Sequence, residues 1–88
     1  MPIVSSFYGI SIYMYNNGKE HAPPHFHAMC GDDECVFSIL RCRKMKGRMP
    51  KNKAKMIEVW AEIHQDELLA NWELAMKQQT LMKINPLQ

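Results

Sequence analysis

Alternation of apolar and polar residues marks the N-terminal half of the chain as β-structure. Residues 7–15 place Ile10 and Ile12 on one face, and residues 25–30 alternate in the same way, which is typical of strands with one buried face. Residues 34–42 carry β-forming residues at both parities, which favours a central strand buried on both faces. Turn-forming residues separate these segments, so we predict a three-stranded antiparallel sheet.

A helical pattern follows Pro50, a residue suited to the start of a helix. Beyond it, apolar residues recur at steps of three and four, which indicates an amphipathic helix. A single helix over residues 51–77 would be about 40 Å long at 1.5 Å per residue. We therefore expect either one long helix or two shorter ones, with a break at residues 64–66 and Asp66 as the cap of the second. The sequence predicts an α+β fold, three strands followed by helical structure and an irregular tail, in a single domain over residues 1–88.

Composition excludes several classes of protein. The chain has 88 residues, of which 47% are hydrophobic and 23% charged, with a net charge of +2; these values are ordinary for one small folded domain and exclude a multidomain enzyme. No apolar run approaches the ~20 residues that span a bilayer and no export signal opens the chain, so we expect a cytoplasmic protein without a membrane partner. Glycine-rich nucleotide-binding loops and the serine nucleophile elbow are absent from the sequence, which leaves nucleotide hydrolysis and serine hydrolysis without support.

The densest candidate for chemistry is the run His21-Ala-Pro-Pro-His25-Phe-His27. Residues two apart share a face of a strand, so His25 and His27 are predicted to project side by side. Adjacent imidazoles can exchange protons, contact phosphate or bind a metal, and they can also simply pack on the sheet as structural residues.

A zinc site would need further ligands, and the nearest are two cysteines. Cys30 and Cys35 complete the pattern H-x-H-x2-C-x4-C, which offers four ligand atoms. Strand parity, however, sends Cys30 to the face opposite His25 and His27. We therefore assign no metal and no cofactor from the sequence, and we expect the three cysteines to be reduced thiols. A metal-binding module built on His25 and His27 stays open as an alternative.

Basic residues are concentrated in one stretch, residues 41–55, which we call the basic segment. It holds eight of the eleven Lys and Arg residues and no acidic residue. Such a segment can neutralise several phosphates of a nucleic acid, although a solvated loop and helix end is the simpler structural interpretation. The candidate nucleic-acid-binding residues are Arg41, Arg43, Lys44, Lys46, Arg48 and Lys51.

His64 is the remaining candidate catalytic histidine. It lies on the apolar stripe of the helical region with Glu67 one turn away, a position in which a histidine is more often a core residue than a catalyst. If the helix packed over the face that carries His25 and His27, His64 and Glu67 would complete a site with them.

Several short motifs together resemble one bacterial family. They are Phe7-Tyr-Gly9-Ile-Ser-Ile12-Tyr-Met14-Tyr15, His21-Ala-Pro-Pro-His25-Phe-His27-Ala28, Gly47-Arg-Met-Pro50, Trp60-Ala61 through His64, Glu67-Leu68, Asn71-Trp72-Glu73 and Lys83-Ile-Asn-Pro86-Leu87. Over nearly the whole chain they are similar to the family called domain of unknown function 4160. The resemblance implies a toxin-antitoxin-like gene pair with a cognate small protein partner, because members are often encoded beside another small protein. The cysteines and the basic segment depart from the family pattern.

The leading hypothesis is therefore a component of a toxin-antitoxin-like module that acts on RNA or DNA. If it is an enzyme, the sequence favours metal-independent RNA cleavage, with proton transfer by His25 and His27 supported by His21 or His64. Phosphate would be held by Arg43, Lys44 and Arg48. The alternative is a non-catalytic, antitoxin-like protein that binds a partner. The oligomeric state stays open.

Overall fold

A computed structural model describes residues 2–88 and contains five strands followed by two helices. The strands are β1 (Ile3–Phe7), β2 (Ile10–Tyr13), β3 (His25–Cys30), β4 (Asp33–Ser38) and β5 (Arg43–Gly47), and the helices are α1 (Lys51–Ile63) and α2 (Gln65–Met76). Each strand pairs antiparallel with the next, in the order β1-β2-β3-β4-β5. The α+β class and the antiparallel sheet followed by two helices are confirmed.

The prediction of three strands was wrong, since the sheet has five. Residues 7–15 are not one strand, because the chain reverses at Tyr8 and Gly9, which both have positive φ, and Phe7 pairs with Ile10 across the turn. Such a two-residue turn matches the twist of a hairpin. The central strand of the sheet is β3, whereas the segment predicted for that place ends at Ser38 and forms β4.

Part of the basic segment forms the fifth strand instead of a loop. Within residues 2–88, β5 pairs only with β4, and it is exposed along its whole length. Its hydrogen bonds to β4, and not a hydrophobic alternation, define it as a strand. Lysine side chains on an edge strand are a common means of preventing further strand pairing.

One face of the sheet is covered by the helices and forms the core. Phe26 of β3 and Phe7 of β1 lie 5.8 and 5.5 Å, between ring centroids, from Trp60 of α1. Residues that share this buried face and the helix surface against it include Ile10, Ile12, Ala28, Phe37, Ile57, Ala61 and Leu68. We call the opposite face, which carries His25 and His27, the outer face.

The two helices meet at His64, so the predicted break is confirmed. Its amide donates to the Trp60 carbonyl, and the same residue serves as N-cap of α2. Asp66 is not the cap, because it lies inside the first turn of α2, where its charge complements the helix dipole. No helix within residues 2–88 combines the length and the apolarity needed to cross a bilayer.

The tail after α2 is irregular, as predicted, but it is tied to the core. Asn71, which is fully buried, donates to the Met82 carbonyl at 2.9 Å and accepts from the Met82 amide at 2.9 Å. The indole of Trp60 donates to the carbonyl of Asn85 at 2.8 Å. The tail is therefore hydrogen-bonded to both helices.

Candidate functional site

Strand register places the predicted histidines side by side on the outer face. His27 pairs with Tyr13 on β2 and with Val36 on β4, and Val36 pairs in turn with Lys46 on β5. His25 lies two residues before His27, at the start of β3. The prediction that the two imidazoles share one face is confirmed, and Lys46 lies in the same row as His27.

Glu20, which sequence reasoning missed, completes a cluster with the two histidines. Its Oε1 lies 2.9 Å from His27 Nε2 and 3.2 Å from His25 Nε2. Within residues 2–88, these three form the one group of three whose metal-ligating atoms all lie within 4.8 Å of one another. We call Glu20, His25 and His27 the outer-face cluster. No motif spacing points to Glu20, because it lies in the irregular connection between β2 and β3.

Aromatic side chains hold the two imidazoles in place. The ring of His27 stacks on Tyr13 at 5.2 Å between centroids and meets the edge of Tyr15 at 4.9 Å. The ring of His25 packs against Trp72 of α2 at 5.0 Å, and its Nδ1 lies 2.9 Å from the Pro23 carbonyl oxygen. Packing and hydrogen bonding thus fix both rings with their Nε2 atoms directed at Glu20.

The electrostatics of the cluster favour an ionised carboxylate. Burial raises the pKa of Glu20, but hydrogen bonds with His27 and His25 and their charges outweigh it, so that the pKa is lower than the ordinary value. Tyr13, by contrast, stays protonated, because burial and its hydrogen bond to the Glu34 carboxylate both raise its pKa. Tyr13 therefore packs against His27 and does not act as a proton acceptor.

The cluster opens into a shallow cleft of about 280 Å³ on the outer face. Besides the three cluster residues, His21, Met45 and Lys46 line it. Arg41 borders an adjoining depression that shares Met45 and Pro23 with the cleft. Two adjoining depressions therefore place the outer-face cluster beside cations of the basic segment.

A family model described as "Domain of unknown function (DUF4160)" matches residues 9–73. The chain belongs to the DUF4160 family. No curated protein and no solved structure shows significant similarity to it. The region matched by the DUF4160 model contains the outer-face cluster, β5 and α1.

The other basic residues of this DUF4160 domain are exposed but divided between the two faces. Arg43 pairs with Ser38, which pairs in turn with His25, so Arg43 lies in the same row as His25. Lys44 pairs with Phe37 on the helical side and lies close enough to Cys35 to affect the pKa of that thiol. Arg48 follows β5, and Lys51 begins α1. Among residues 2–88 the ion pairs found all involve histidine, so no Lys or Arg of the basic segment is neutralised by a carboxylate.

His64 and Glu67 lie apart from the outer-face cluster. Their side chains contact each other, with His64 Nδ1 2.6 Å from Glu67 Oε1. His64 packs against Trp60 and lines a different cavity, with Pro86 and Leu87 of the tail. α2 reaches His25 through Trp72, whereas His64 and Glu67 lie at the α1–α2 junction on the helical side, so the structure does not bring this pair to His25 and His27.

The cysteines do not join the cluster either. Cys35 pairs with Ala28 on the buried face of the sheet, whereas His27 lies on the outer face. Burial raises the pKa of both Cys35 and Cys42, which keeps these thiols neutral and weakly reactive. The four-ligand zinc arrangement that combines the histidines with the cysteines is therefore not formed.

Proposed function

We propose that this DUF4160 domain binds nucleic acid across its outer face, with single-stranded RNA as the preferred ligand, as one component of a toxin-antitoxin-like pair. The observation that carries the proposal is the exposed, unneutralised row of cations on and beside β5, next to a cleft lined by imidazoles. Lys46 lies inside this cleft and Arg41 borders the depression that adjoins it. A chain with a net charge of only +2 thus presents a locally basic surface.

Phosphate groups are the natural partner of such a surface. Lys and Arg that lack a carboxylate partner within the protein gain most from a polyanion, because binding releases the counterions condensed on the nucleic acid. The shallow, open shape of the depression suits a flexible single strand better than a rigid duplex. This mode of binding fixes position along the backbone and does not require recognition of a base sequence.

Binding of RNA is expected to depend on Arg43 and Lys46. In fluorescence anisotropy with a labelled single-stranded RNA, Arg43→Gln/Lys46→Gln should weaken binding and lower the magnitude of the slope of log K against log salt by about 0.7 for each lost phosphate contact. The matched control, Lys77→Gln/Lys83→Gln, removes the same charge from the end of α2 and from the tail, outside the basic segment, and should change affinity little. Equal losses in the two variants would show that only net charge matters, and would contradict a site on the outer face.

A second candidate function is cleavage of the bound RNA. It is favoured by one observation, the presence of His25, His27 and ionised Glu20 in the cleft that also holds Lys46. These side chains can exchange protons with the ribose hydroxyl and the leaving oxygen, while the ammonium stabilises charge that develops on the phosphate.

Bacterial growth tests the toxin and cleavage proposals together. Induced expression of the wild type is expected to arrest growth, and His25→Ala/His27→Ala is expected to permit it, with both proteins checked for soluble, folded material. Arrest by both proteins would contradict cleavage at the cluster and favour toxicity through binding. Normal growth with both would contradict the toxin assignment and favour the non-catalytic, antitoxin-like alternative.

A further inference from the structure

The outer-face cluster has the dimensions of a metal site. A bound transition metal lies about 2.0–2.1 Å from imidazole nitrogen or carboxylate oxygen, so two neighbouring ligands are about 2.8–3.0 Å apart around an octahedral ion and about 3.3–3.4 Å apart around a tetrahedral one. Glu20 Oε1 lies 2.9 and 3.2 Å from the two Nε2 atoms. Two of the three ligand-to-ligand distances therefore already match a coordinated ion.

The hydrogen bonding of His25 points to the same conclusion. The Pro23 carbonyl can only accept, so His25 Nδ1, 2.9 Å away, must carry the hydrogen. Nε2, 3.2 Å from Glu20 Oε1, is then satisfied either by a proton of its own or by a metal cation placed between the two atoms. A ring N–H donated to a backbone carbonyl is also the usual outer contact of a metal-bound histidine.

We propose that Glu20, His25 and His27 bind one divalent first-row transition-metal ion, for which Zn²⁺ is the probe. Two imidazoles select against Mg²⁺ and Ca²⁺, which prefer ligand sets made only of oxygen. Three protein ligands leave coordination positions open towards the cleft, as in catalytic metal sites, and Lys46 lines the same cleft. An anionic group of a ligand, such as a phosphate oxygen, can occupy these positions. The proposal uses the side chains of the proposed cleavage site but does not depend on RNA binding.

Calorimetry on untagged, chelator-treated, reduced full-length protein tests the metal site without RNA. Zn²⁺ is expected to bind with a stoichiometry of one, and Mg²⁺ is expected not to bind. Glu20→Gln and His27→Gln should each weaken Zn²⁺ binding by at least about 100-fold, since even changes outside the ligand set cost 10–100-fold. Glu20 lies in a loop, so Glu20→Gln keeps a test available if His27→Gln fails to fold.

A second histidine–glutamate pair in the chain provides the matched control. His64→Gln/Glu67→Gln removes the same residue types from the α1–α2 junction and should leave Zn²⁺ affinity unchanged. In NMR spectra the ring signals of His25 and His27, but not of His64, should shift when Zn²⁺ is added. Absence of stoichiometric binding by the wild type, or an equal loss in the control variant, would overturn the proposal. RNA binding measured on Glu20→Gln reports separately on the proposed function.

Discussion

Replacing Trp60 by alanine is expected to destabilise the domain by about 3–5 kcal/mol, the usual cost of deleting a buried aromatic side chain. Trp60 is fully buried, contacts Phe7 and Phe26, and donates its indole N–H to the Asn85 carbonyl. Truncation to alanine therefore leaves a cavity in the core and also removes the hydrogen bond between α1 and the tail. At 0.05–0.15 kcal/mol per residue, an 88-residue domain has a total stability of about 4–13 kcal/mol, so this loss removes a large share of it.

Urea denaturation followed by circular dichroism measures this loss. Ile63→Ala, on the same helix but 63% exposed, serves as the control and should change the free energy of unfolding by no more than about 0.5 kcal/mol. If Trp60→Ala matched the control, α1 would not pack on the sheet through Trp60 as described.

Replacing Gly47 by alanine is expected to destabilise the domain by about 2–5 kcal/mol, from backbone strain together with overpacking. Gly47 has φ +100°, which L side chains rarely adopt, and an added Cβ would lie 2.8 Å from the Cys35 Cα and clash with the Glu34 carbonyl oxygen. These are backbone atoms of β4, so neither can rotate away. Because β5 must move to relieve the clash, RNA affinity should fall together with stability.

Gly31→Ala separates the clash from the effect of positive φ alone. Gly31 also has positive φ, but nothing lies within 4 Å of the position of its Cβ. Its replacement should therefore cost only about 1–2 kcal/mol, the penalty of a left-handed backbone. Equal destabilisation by the two substitutions, measured by urea denaturation, would mean that β5 does not approach β4 as closely at Gly47 as the structure shows.

Local signals in the sequence were sufficient for the helices and for the histidine pair. Pro50 precedes α1, the apolar stripe identifies the helical face, and the expected helix length required the break that the chain makes at His64. His25 and His27 share a face because the side-chain period of a strand is two. Each of these features depends on residues close together in the sequence.

The missed strands and Glu20 depend on contacts that local patterns do not record. Tyr8, 54% exposed at a turn, continues the alternation of Ile10 and Ile12 and so conceals the hairpin between β1 and β2. β5 is polar throughout and becomes a strand only by pairing with β4. Glu20 reaches His27 from seven residues away through an irregular loop, where neither strand nor helix periodicity applies.

Titration of ¹⁵N-labelled protein with single-stranded RNA in NMR spectra tests most directly whether the domain binds RNA across its outer face. Binding across this face predicts that the largest amide shifts occur at Glu20, along His25–Cys30 and along Arg43–Gly47. It also predicts that amides of α1, buried against the opposite face of the sheet, move little. Shifts confined to α1 and α2, or no shifts at low salt, would contradict it.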